Sequence, residues 1–172
     1  MSAALKPIRS PTQKKQIRAT IPPYCHGAVA NEWRIHYSQN RPFRYYDDLR
    51  NARYASLDCS GFVGAVFWNA MHDTKIFIHD PLDCRYTGNG WTGTLEGYLR
   101  RFGKAVEEEN GYLVGDISRW GRGNHAHTAV CSKAGSATAA EWTSHGREEG
   151  PVNVKLHYRK DLIGAWRIPE LI

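Results

Sequence analysis

The apolar spacing of this chain changes once along its length, and the change decides what it can fold into. Before residue 103 it is helical. Leu95, Tyr98, Leu99 and Phe102 repeat at i, i+3, i+4 and i+7, with Gly103 where a C-terminal cap belongs, so a helix is predicted from Thr94. Phe62, Val63, Val66 and Ala70 show the same spacing and predict an amphipathic helix that starts near Cys59, and Tyr24 to Tyr37 reads as a further helix. From Tyr112 the pattern shortens to strand-length runs: Ile117 to Trp120, His125 to Cys131, Thr138 to Thr143, Val152 to Tyr158 and Gly164 to Ile168. Gly121-Arg122-Gly123-Asn124 and Ala134-Gly135-Ser136 supply turns between them. Helices followed by about five short strands predict an α+β domain with an antiparallel sheet, and 172 residues suffice for one such domain with its own core.

Charge is unevenly placed. Of the formal net charge of +6, five units come from Lys6, Arg9, Lys14, Lys15 and Arg18, in a segment without acids that Pro22-Pro23 closes. Residues 1–22 therefore read as a loosely packed basic arm and residues 23–172 as the folded domain. The arm suits anionic wall polymers or another polyanion; it is a weak argument for nucleic acid. Cys25, Cys59, Cys84 and Cys131 are far apart, with no Cys-x-x-Cys pair, which argues for reduced thiols rather than a zinc ribbon or a disulfide framework. No apolar run approaches the ~20 residues of a membrane span, and the start lacks a leader's apolar segment. The expected history is synthesis in a cytosol and later release to the site of action.

Cys59 is the candidate nucleophile. A thiol on the first turn of a helix faces unpaired backbone N–H groups and the positive end of the helix dipole, which favour the thiolate. Asp58 and Ser60 are good capping residues, and Gly61 leaves room beside the sulfur for a substrate backbone. Such a nucleophile needs a base that also protonates the leaving group, a task that suits histidine near neutral pH.

Asp58-Cys59-Ser60-Gly61-Phe62-Val63 resembles the signature of the NlpC-type, papain-like cysteine peptidases that cut bacterial cell walls. That resemblance, carried from Tyr45 to Ser144, implies a papain-like domain in which the cysteine helix packs on the sheet. His127-Thr128-Ala129-Val130, with Gly135 ending the strand, resembles the family's histidine motif and implies His127 as base. His125, two positions away, stays an alternative. The third polar group is implied at Glu141 in Ala140-Glu141-Trp142-Thr143-Ser144-His145, where the family has His, Asn, Asp or Gln; His145 is the second candidate. The family's pocket tyrosine corresponds to Tyr45, with Tyr46 beside it, although Asp47-Asp48 stand where the family carries Gly-Gly. The Cys59 N–H and the flanking Asp58, Ser60 and Tyr45 would border the oxyanion.

The implied reaction is hydrolysis of an amide in the peptide stem of peptidoglycan, beside D-glutamate or diaminopimelate, through a thioester and without metal or organic cofactor. A phage endolysin is the setting it suggests first, then a tail-associated hydrolase or a secretion-system effector. Two other classes stay open: a zinc amidase using His125 and His127, and a non-catalytic wall-binding or phage structural module on the same fold.

Overall fold

A computed structural model of the chain describes residues 10–43, 48–51, 55–82, 86–146 and 150–171. The helix α1 (Pro11–Ala30) opens on a capping box, in which the Gln13 N–H donates to the Ser10 hydroxyl and the Ser10 N–H to the Gln13 side chain. It runs unbroken through Pro22 and Pro23, and Ile17 and Ile21 are fully buried. The boundary expected at residue 22 is thus not a boundary: Lys14, Lys15 and Arg18 belong to a packed helix, and residues 1–9 of the arm lie outside the described residues. Apolar contact on one face outweighs the two intrahelical hydrogen bonds that the prolines forgo.

The helix predicted over Tyr24 to Tyr37 ends at Ala30, and the rest becomes a 3-10 turn and the strand β1 (Ile35–Tyr37). β1 pairs in parallel with β2 (Ala55–Leu57), which leads directly into α2 (Cys59–Thr74). Asp58 is the N-cap of α2, its Oδ1 accepting the Gly61 N–H at 2.7 Å. This helix is buried almost all round rather than amphipathic, because α1, β2, α3 (Thr92–Phe102) and the main sheet each cover part of it. Phe62, Val63, Val66, Phe67 and Met71 have no exposed surface and form the centre of the larger core.

The main sheet has six strands, in the order β3 (Lys104–Ala105), β8 (Leu162–Arg167), β4 (Ile117–Trp120), β5 (His127–Lys133), β6 (Glu141–Ser144) and β7 (Val152–Val154), all antiparallel. The chain is therefore α+β, as the periodicity predicts. α1 and α2 lie on β5, and a second core with Trp120, Trp142 and Leu156 covers the other face. Val114-Gly115-Asp116 makes the turn into β4: Gly115 has φ +88°, and the buried Asp116 carboxylate takes two hydrogen bonds from Arg167, at 2.7 and 2.6 Å.

Candidate active site

The cap of α2 and the start of β5 meet at one open cavity of about 540 Å³. Cys59, the first residue of the helix, and His127, the first of the strand, both line it, together with Tyr37 of β1, His125, Tyr158 and Arg159. Both residues border the cavity because the head of α2 lies at the start of β5; the His127 ring itself packs against Trp120.

Cys59 is only 5% exposed. Its sulfur is 3.6 Å from the Thr92 hydroxyl, at the head of α3, and the backbone N–H groups of Ser60 and of Thr128, the neighbour of His127, also point at it. These three donors favour the thiolate. Burial, and after it the charge of Asp58, act the other way and push the thiol up to about 11. The thiol therefore stands above its ordinary value rather than below it, because burial of the sulfur exceeds what these donors return.

Asp58 and Ser60 serve the cap rather than the cavity wall. Both are buried, and the Ser60 hydroxyl donates to Asp58 Oδ1 at 2.8 Å. The space beside Gly61 is not left for a substrate either, since the Phe43 ring fills it and a Cβ there would stand 2.7 Å from that ring.

His127 is buried to 7% exposure between Trp120 and Tyr158, whose ring centroids lie 5.9 and 6.3 Å away. Its Nε2 meets the Ser144 hydroxyl at 2.5 Å. On β6 the side chain that meets the ring is thus Ser144 and not Glu141, which corrects the Glu141 expectation. Glu141 is three residues earlier on β6, about 10 Å along the strand, where it pairs with Lys133 at 3.5 Å. His145 is fully buried against Tyr37 and Phe62, in edge-on ring contacts at 5.9 and 6.2 Å. His125 is not on the strand with His127: it belongs to the exposed 3-10 turn Gly123–His125, and its carbonyl accepts from Arg159 at 3.1 Å. Among the described residues no group of three or more His, Cys, Asp or Glu side chains is arranged to hold a metal ion. Tyr45 and Tyr46 lie outside the described residues.

Residues without a motif complete the site. Arg41 ties the loop after β1 to Asp58 at 2.7 Å. Arg119, buried in β4, donates to the Gly121 carbonyl at 2.8 Å and the His127 carbonyl at 3.5 Å, and is held by Glu96 of α3 at 2.9 Å. Isolated arginines in loops and short strands carry no sequence signal for such roles. No family model matches this chain, and no curated protein matches it.

Proposed function

We propose that this chain is a papain-like cysteine hydrolase of the NlpC type that cleaves an amide in the peptide stem of peptidoglycan, with Cys59 as nucleophile and His127 as base. The observation that carries the reading is the meeting of Cys59 and His127 at one cavity, with the imidazole tethered by Ser144. The choice of substrate rests on the likeness of Asp58-Cys59-Ser60-Gly61 to the wall peptidases. No helix among the described residues is long and apolar enough to cross a membrane, and the reading requires none.

A thiol with a raised pKa rests protonated near neutral pH, so its proton leaves during attack. His127 takes that proton as Sγ bonds to the substrate carbonyl carbon and the carbonyl π electrons move onto oxygen. The Cys59 N–H, in the first turn where no carbonyl four residues back is available, is placed to donate to that oxyanion. Collapse of the intermediate breaks the C–N bond, and the imidazolium gives its proton to the departing amine, leaving a thioester on Cys59. Water then attacks the thioester with His127 again as base, which releases a carboxylic acid and restores the thiol. Ser144 holds the ring through Nε2.

The test is digestion of purified muropeptides with fragments identified by mass spectrometry. Wild type is expected to release new amine and carboxylate ends, and Cys59→Ala and His127→Ala are expected to release none. Fragments produced as fast by Cys59→Ala as by wild type would end the reading.

A further inference from the structure

Three segments near the head of α2 share one cation. The Arg41 Nη2 donates to Asp58 Oδ2 at 2.7 Å, Nε to the Gly90 carbonyl at 3.0 Å, and Nη1 to the Gln39 carbonyl at 2.7 Å. Its guanidinium also lies 4.7 Å over the Phe43 ring, the ring that packs on Gly61. The Asp58 side chain is only 5% exposed and that of Arg41 25%, so little water screens the pair. Gly90 precedes by two residues the Thr92 whose hydroxyl touches the sulfur.

We propose that Arg41 is a positioning residue for the Cys59 chemistry: it holds the α2 cap and the 90–92 loop in register with the sulfur, and offsets the Asp58 charge beside it. The role rests on the proposed thiol chemistry, but the test below needs no substrate. Among the described residues, the charged and titratable groups at this cavity and the sulfur are Asp58 from its own helix cap, His127 from β5, Tyr37 from β1, and His125, Tyr158 and Arg159 across the cavity. Asp58 disfavours the thiolate. With Arg41 gone, that carboxylate loses its ion-pair partner and keeps only the Ser60 and Gly61 donors, so the thiolate fraction falls at every pH below the thiol's midpoint.

The experiment follows the rate at which iodoacetamide alkylates Cys59 in the full chain from pH 7 to 10, read by mass spectrometry on the Cys59 peptide. R41M is expected to be alkylated about tenfold more slowly than wild type across that range, a rise of one pKa unit. R41K keeps the charge beside Asp58 but loses the contacts to Gly90 and Gln39, and is expected to recover the rate only in part. A D58N background, whose side chain still caps, is expected to alkylate faster than wild type and to abolish the effect of R41M. An R41M profile that overlays wild type, or an R41K profile as slow as that of R41M, overturns the proposal. Should R41M not fold, an unchanged rate in D58N alone overturns it. An inert protein on muropeptides sinks the peptidase reading and leaves these rates interpretable.

Discussion

His127 Nε2 and the Ser144 hydroxyl lie 2.5 Å apart, so a neutral group on β6 orients the imidazole. A hydroxyl stabilises the imidazolium less than an ionised partner, and its deletion should cost about one ordinary hydrogen bond, ~0.5–1.5 kcal/mol. Ser144→Ala is therefore expected to lower kcat about three- to tenfold with KM little changed, in steady-state hydrolysis of a stem peptide. A loss beyond a thousandfold would mean that Ser144 does more than orient the ring.

The thiol pushed up to about 11 has its own signature. Below that value the thiolate fraction rises about tenfold per pH unit, so alkylation of Cys59 should climb steadily from pH 7 to 10 without a plateau near neutrality. The Thr92 hydroxyl, 3.6 Å from the sulfur, favours the thiolate as a donor. Thr92→Val keeps the shape and removes the donor, and should slow alkylation about three- to tenfold at fixed pH. A plateau below pH 8 in wild type would show that the sulfur is already ionised there.

What the residues disclose in advance follows from how local each signal is. Helical spacing after Cys59 and strand-length runs after Tyr112 are local, and α2, α3, β4 and β5 stand close to where they are read. The site fails where register decides. The turn expected at Ala134 to Ser136 extends to Ala140, whose N–H donates to the Ser136 carbonyl, so β6 begins at Glu141 instead of Thr138. That later start, with a register shift between Cys131 and Lys133, puts Glu141 opposite Lys133 and brings Ser144 opposite Ala129 near the site. Tyr37, Thr92 and Arg41 come from segments remote in sequence, and only packing brings them to the head of α2 and its cavity. The raised thiol was equally hidden, because burial on all sides of α2 depends on elements that periodicity cannot place.

Glu96 links α3 to β4 through Arg119, whose side chain is 3% exposed. Burial acts to raise the Glu96 carboxyl, but Arg100 and Arg119 together hold it below its ordinary value. A depressed folded pKa means stability that is present above the ordinary carboxylate range and lost as pH falls through the folded value. Glu96→Gln should thus destabilise by about 2 kcal/mol at pH 7, less than the ~3–5 of a fully buried pair because Glu96 keeps some solvent access. Urea denaturation should show the difference between the two proteins shrinking below pH 4. A constant difference across pH would assign the loss to packing.

The packing of α1 predicts how much of the N-terminal region the fold needs. Ile17 and Ile21 are fully buried and stand one helical turn apart, on the face that α2 and the sheet cover. Ile21 also meets the edge of the β4 turn, where a Cβ on Gly115 would come within 2.9 Å of its Cδ1. That closeness leaves little room for the surroundings to collapse if the side chain is cut back, which is the condition for a large cavity cost. Ile17→Ala and Ile21→Ala should each destabilise by about 2–5 kcal/mol, whereas Lys15→Ala on the exposed face should change stability by less than about 0.5 kcal/mol. Deletion of residues 1–22 removes both isoleucines, and a domain of this size has too little margin to absorb two such losses. The truncated chain should therefore lack a cooperative urea transition, and one that unfolded with the wild-type midpoint would mean that the fold does not need the packing of residues 11–22.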